Sequence, residues 1–178
     1  PGQVTITARH QLSLDRCEFA EVKRTLDNHE AVGTADVLVL CVHPSEVDEL
    51  VSEIAPSVKP NQLVLSLVTG VTTRHLERSL GEGVAVVRAM PNIAVFVGAS
   101  MTAVTPGQRA SEDQVALAVE LLQSVGEVEV LDEGHMNAVT ALGACAPAFV
   151  FKIIEALSEG GIKVGLPRDA SRKIAAQA

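Results

Sequence analysis

The stretch Val37-Leu38-Val39-Leu40-Cys41-Val42-His43-Pro44 decides the fold. Six apolar residues in a row, with no polar alternation, predict a strand covered on both faces, as in a parallel sheet. Pro44 stops the strand. Ser45, with Asp48 three residues on, predicts the N-cap of a helix. Val47, Leu50, Val51 and Ile54 follow at helical spacing, and Pro56 ends that helix. The same alternation extends in both directions. Upstream, residues 4–8 predict a strand, 12–19 a short helix and 22–26 a second short strand. Downstream, residues 63–67 predict a buried strand, followed by Gly70 and a short helix capped by Thr72 or Thr73 and running to Leu80. Residues 84–87 predict another strand, broken by Met90-Pro91-Asn92. A strand over 101–104, a helix over 111–124 and a strand over 128–131 complete the series. Strands and helices in alternation with short connections mark a doubly wound α/β sheet.

The pattern changes near residue 132. From about 136 to 162 it is helical and no strand follows. Gly143-Ala144-Cys145-Ala146-Pro147 interrupts it, and a proline inside a helix predicts a kink. Pro167 suits the first turn of a further helix over 168–178.

Composition narrows the function. The 178 residues are 47% apolar and 20% charged, which is globular, and the formal charge of −8 argues against a nucleic-acid partner. The longest near-apolar run, 138–151, is 14 residues, short of the roughly 20 a membrane span needs. The start lacks a basic region followed by an apolar one, so no signal peptide and a cytoplasmic location are expected. Pro1 is not a natural start residue, which points to a fragment or a processed form. Cys17, Cys41 and Cys145 form neither a disulfide framework nor a zinc pattern, and no metal is expected. With no Trp, no Tyr and four Phe, the core must be aliphatic.

In doubly wound sheets, ligands lie beyond the carboxyl ends of the strands. Arg9 follows the first strand. An Arg after the second strand of a dinucleotide fold accommodates the 2′-phosphate of NADP, whereas a bare loop position would leave it solvated. The Gly-rich phosphate turn that should precede it does not occur in the chain, where only Gly2 lies upstream. His43 is placed either to contact a cofactor or to cap a backbone group. Cys41 reads as strand filling, and Cys145 as a small residue packed against a neighbouring helix. Lys152, Lys163, Glu155 and Glu159 read as surface, as do His10, His29, His75 and His135.

Several segments together resemble pyrroline-5-carboxylate reductases. Val86-Val87-Arg88-Ala89-Met90-Pro91-Asn92 looks like that family's R-x-M-P-N block, and Cys41-Val42-His43-Pro44 resembles its A-V-K-P. The run from Ser66 to Thr72 is similar to S-x-A-A-G-[IV]-T, and the run from Ala141 to Phe149 to A-L-S-G-S-G-P-A-Y. Glu155-Ala156-Leu157, with the run from Gly160 to Arg168, resembles E-A-L…G-G-V-x-x-G-L-P-R. The blocks agree in order and spacing across the chain.

The resemblance implies a Rossmann-like NAD(P)-binding domain over 1–131, without its first strand and Gly-rich turn. It implies the start of a helical dimerisation domain over 132–178. The implied reaction is NAD(P)H-dependent hydride transfer to the C=N bond of 1-pyrroline-5-carboxylate, giving L-proline. NADPH is the expected cofactor, with NADH also accepted. The implied cofactor residues are Arg9, Asn28, Cys41, Val42, His43, Pro44, Leu67, Val68 and Thr69, with Asn92 near the nicotinamide end. The implied assembly is a homodimer through the C-terminal helices, which in the family often builds into rings. No membrane partner is expected. The chain departs from the family pattern at His43 (Lys in the family), at Ala144-Cys145-Ala146 (Gly-Ser-Gly), and in not containing the S-P-G-G-T-T substrate motif. Two other readings stand beside this one. A reductase of hydroxyacid-dehydrogenase type would need Lys152 or Lys163 as its acid, and an inactive dimerising paralogue would bind no cofactor.

Overall fold

The computed structural model describes residues 3–178, and strand and helix alternate through the first 130. The order is β1 (Thr5–Thr7), α1 (Gln11–Asp15), β2 (Lys23–Thr25), α2 (Asn28–Thr34), β3 (Val37–Leu40) and α3 (Val47–Ile54). Then come β4 (Leu63–Ser66), α4 (Thr73–Leu80), β5 (Ala85–Met90), β6 (Ser100–Pro106), α5 (Glu112–Gln123) and β7 (Gly126–Val130). The expected helix over 12–19 is shorter: Arg16 ends α1.

Strands β3-β4-β5-β6-β7 form one sheet in chain order, and β1 and β2 form a separate parallel pair. β3, β4 and β5 run parallel, in a register that places Leu40 beside Ser66 and Ser66 beside Arg88. The sheet is not parallel throughout, because β6 runs antiparallel to β5. Only residues 91–99 connect them. That is too short for the crossover of a dozen or more residues that a parallel neighbour requires. β7 returns parallel to β6 after α5.

Successive residues of a strand face opposite sides, and both sides of the sheet are packed with aliphatic groups. Leu38, Leu40, Val64 and Val86 meet Val47, Val51 and Ile54 of α3 and Leu76 and Leu80 of α4. On the other side Leu63, Leu65, Val87, Ala89 and Val104 meet Ala118 and Leu122 of α5. β5 is buried at all six positions. β3 is not covered on both faces as its apolar run predicts: it ends at Leu40, and Val39 is 53% exposed. Cys41 lies past its end and is exposed rather than packed.

Side chains set the helix starts. Asp27 caps α2, Thr72 caps α4, and Ser111 and Gln114 form a capping box on α5. Ser45 is not the cap expected before α3. A 3-10 turn, Pro44–Glu46, precedes that helix, and His43 caps it by accepting from the Ser45 N–H. Pro44 opens the turn, and α3 itself begins after Glu46 with no side-chain cap. Buried Gln62 ties α2 to β4, donating to the carbonyls of Val32 and Ala35 while accepting from Lys59 N–H. Lys23 and Thr25 of β2 hydrogen-bond Glu30 of α2, and the Lys23 contact first of all holds the Glu30 carboxyl below its usual range.

The remainder is helical. A 3-10 turn Glu133–His135 leads into α6 (Met136–Val139), a π turn Thr140–Ala144, α7 (Ala146–Lys163) and α8 (Arg168–Gln177). The helix bends at Cys145, inside the stretch where a kink is expected, but not through a lost proline bond, since Pro147 sits in the first turn of α7, where its missing N–H leaves no bond unmade. The interruption is the π turn, which inserts an extra residue into the helical ladder. Cys145, at the junction, is exposed and not packed as expected. α7 and α8 pack closely: Ser171 Oγ donates to the Ser158 carbonyl at 2.7 Å, and a Cβ on Gly161 would overlap the Ser171 hydroxyl.

Gly126 opens β7 at φ +150°, and a Cβ there would collide with the backbone of Ser100 on β6. Gly126→Ala therefore combines backbone strain with overpacking and should lower unfolding stability by about 2–4 kcal/mol. Urea denaturation measures this, and an unchanged midpoint would refute the close approach.

Candidate functional site

Polar and charged residues gather past the carboxyl ends of β1, β3, β4 and β5. Past β1, Arg9 lies beside the segment that follows β3: its Nη2 donates to Glu49 at 2.8 Å and its Nη1 to Glu46 at 3.4 Å. Past β3, the segment Cys41-Val42-His43-Pro44 turns outward, with Cys41, His43 and Pro44 exposed. His43 Nδ1 lies 2.8 Å from Ser45 Oγ. His43 thus fulfils the backbone-capping role that its position allowed, with its ring at the surface. Past β4, the Leu67 N–H donates to the Leu40 carbonyl at 2.9 Å, holding residues 67–69 one strand away from 41–44. Val68 is buried, with its N–H bonded to Ser66 Oγ, and Thr69 is exposed.

Asn92 follows β5. Its Oδ1 accepts from Ala94 N–H, and its Nδ2 donates to the Gly143 carbonyl in the π turn at 3.3 Å. It therefore fastens the loop after β5 to the helical part. Asn28 stands apart, in the first turn of α2, with its amide on Glu53 of α3 at 3.1 and 3.2 Å. The structure thus places Arg9, 41–44, 67–69 and Asn92 at the same end of the strands, and turns Asn28 toward α3.

Two clusters have no counterpart in the sequence pattern. The first is the pair of glutamates on Arg9, which lie 37 and 40 residues away along the chain. The second is centred on Glu133. Its carboxylate accepts from Thr73 N–H at 2.9 Å, from Thr73 Oγ1 at 2.7 Å and from Arg88 Nη1 at 3.3 Å. Arg88 is only 3% exposed, and its Nε and Nη2 have no partner among the described residues. Glu133 thereby neutralises a buried guanidinium and occupies the amino end of α4, where a negative charge is favoured. The ion pair joins β5 to the first turn of the helical part.

Beside the loop after β5 lies an open apolar groove of about 950 Å³, lined by Ile93, Phe96, Val97, Leu142, Pro147 and Phe151 among others. Phe96, Val97 and Leu142 are 86%, 79% and 80% exposed. The outer face of α7 continues this surface with Phe149, Ile153 and Leu157.

A β-α-β sheet whose polar residues gather at the strand carboxyl ends, followed by an apolar helical segment, defines a Rossmann-type fold with a helical extension. Residues 133–178 match the family model for the pyrroline-5-carboxylate reductase dimerisation region, and residues 1–70 that for the coenzyme F420-dependent NADP oxidoreductases. The chain is 38% identical to the pyrroline-5-carboxylate reductase of Corynebacterium melassecola, over 84% of this chain and 56% of that protein. It is 36% identical to the Escherichia coli K12 pyrroline-5-carboxylate reductase, over 100% of this chain and 64% of that protein. The solved pyrroline-5-carboxylate reductase of Coxiella burnetii superposes with a TM-score of 0.89 at 33% identity, covering 97% of this chain and 65% of the other. The chain is similar to pyrroline-5-carboxylate reductases along its whole length, and its helical part matches that family's dimerisation region. It spans about half to two thirds of the length of the curated relatives it matches.

Glu133→Ala would strand the buried Arg88 charge and the Thr73 donors together. Removing one partner of a buried pair costs about 3–5 kcal/mol. The thermal midpoint should fall accordingly, whereas a fall within the error of a surface substitution would show that the pair is not structural.

Proposed function

We propose that this chain forms the larger part of the cofactor site and the beginning of the dimer interface of an NADPH-dependent pyrroline-5-carboxylate reductase. The observation that carries the reading is the line of Arg9, residues 41–44, residues 67–69 and the loop at Asn92 along one end of the strands, ending against the helical segment. Strands β3, β4 and β5 are about 4.8 Å apart and Arg9 joins their end through Glu46 and Glu49, so the line has the extended form a dinucleotide requires. Arg9 lies at the adenosine end, where a guanidinium matches a phosphate in both charge and fork geometry. The turns at 41–44 and 67–69 carry the track onward. Asn92, whose side chain is committed to Ala94 and Gly143, positions the nicotinamide end through its loop. The Asn28 amide acts only through the packing of α2 on α3.

When bound, the cofactor supplies the hydride for the C=N carbon of 1-pyrroline-5-carboxylate, and L-proline is the product. The chain's own residues contribute binding, orientation and charge. His43, where the family pattern has a lysine, presents its ring at the surface beside Ser45. NADH is the second cofactor on this reading, and the cytoplasm is the site of the reaction. A hydroxyacid-dehydrogenase type of chemistry is disfavoured, because Lys152 is 80% exposed and paired with Glu155 at 2.7 Å.

The partner is a second copy of this chain, seated on the groove and on the outer face of α7. The helical stretch Glu133–Lys163 also has the length and hydropathy to cross a membrane. The match to a dimerisation region and the charged Lys152, Glu155 and Glu159 on the same helix favour protein over lipid as its cover. Burying a Phe contributes roughly 1.5–3 kcal/mol, so several such side chains hold a stable pair.

The test is turnover in the intact protein. NADPH should be consumed with 1-pyrroline-5-carboxylate, and NADP should not be reduced with 3-hydroxy acids. Absence of turnover, together with absence of thermal stabilisation at a hundredfold excess of cofactor over its Kd (about 2.7 kcal/mol if it binds), would favour the inactive paralogue. Phe149→Asp with Phe151→Asp should convert the dimer to a monomer by light scattering. A dimer that persists in the double variant would place the interface elsewhere.

A further inference from the structure

Arg9 does not present a free guanidinium. Its two terminal nitrogens are each engaged, Nη2 with Glu49 and Nη1 with Glu46. A phosphate binds Arg through the same fork. We propose that Glu46 and Glu49 are specificity-determining residues, which oppose the 2′-phosphate of NADPH and accept hydrogen bonds from the free ribose hydroxyls of NADH. The inference rests on the reading that Arg9 marks the adenosine end of the site.

Three features carry it. First, the carboxylates are present for reasons independent of Arg9. Glu46 precedes α3 and Glu49 lies in its first turn, where the helix dipole favours negative charge. Second, two neighbouring titratable groups are engaged elsewhere. Asp48 in the same turn is drawn to His75 Nε2 at 2.7 Å, and His43 is bonded to Ser45. Third, the pairs are open to solvent, with side chains 56% exposed for Arg9, 43% for Glu46 and 73% for Glu49. Exposed ion pairs are weak, so a ligand can displace them. The glutamates therefore bias the choice of cofactor without closing the site. NADPH must break both contacts and bring its phosphate charge beside two carboxylates. NADH carries no such charge, and carboxylates held beside Arg9 can accept from its ribose hydroxyls, as the acidic residue after the second strand does in other dinucleotide folds.

The experiment measures Kd for NADPH and NADH by nicotinamide fluorescence in the intact protein. The chain has no Trp to interfere. It compares wild type, Glu46→Gln/Glu49→Gln and Arg9→Ala, at low and high salt. The double Gln variant should raise the ratio of NADPH to NADH affinity about tenfold at low salt, with a smaller shift at high salt, because exposed charges are screened. Arg9→Ala should lower the ratio. A ratio within twofold of wild type in the double Gln variant, with the Arg9→Ala effect intact, overturns this inference and leaves the cofactor site standing. No effect of Arg9→Ala, or no binding of either nucleotide by wild type, overturns the site assignment and this inference with it.

Discussion

β5 is the strand against which both halves of the chain are assembled. All six of its residues are buried, and each of its faces supports a different core. Val86 faces α3 and α4, while Val87 and Ala89 face α5. Near its carboxyl end it carries Arg88, a charge that the interior tolerates only because Glu133 reaches it from the start of the helical part. The orientation of the helices is thus tied to the sheet through an electrostatic requirement as well as through apolar contact. Met90, two residues on, packs with Ala103 and Met136 and completes the joint.

The alternation of elements was legible in the chain because each signal was local. Apolar runs stop at Pro44 and Gly70, and Thr72 caps α4 as its position predicts, whereas α2, with its Asp27 cap, was not read from the sequence. What failed to read through depends on contacts far apart in sequence. The reversal of β6 follows from the length of a connection, which a strand's own composition does not encode. Val39 is apolar for its place in the strand, yet no element covers it. Ser45 does not cap α3 because Pro44 opens a 3-10 turn that contains it; His43 caps that turn, and α3 starts after Glu46 without a side-chain cap.

The site divides in the same way. Arg9 and His43 could be read from strand endings, while the rest of 41–44 and residues 67–69 come from the resemblance. Their surroundings could not: neither Glu46 and Glu49 on Arg9, nor Glu133 on Arg88, has a spacing that any local pattern predicts. Asn28 belongs with the second group. Its place comes from a resemblance and not from a strand ending, and its amide lies on Glu53. The exchange of Gly-Ser-Gly for Ala144-Cys145-Ala146 coincides with the π turn, so the added methyl groups sit where the helical ladder is already interrupted.

The reversal between β5 and β6 has a consequence for how this sequence can drift. Because β6 turns straight back, residues 91–99 are at once the segment beyond the carboxyl end of β5 and a wall of the apolar groove. On the proposed reading, one face of that segment serves the nicotinamide and the other serves the second copy. Substitutions at Ile93, Phe96 or Val97 therefore cannot be selected for assembly alone. A change that improves the fit of one surface shifts the backbone of the other, and compensating replacements are expected in pairs across the loop and the π turn, where Asn92 and Gly143 are bonded.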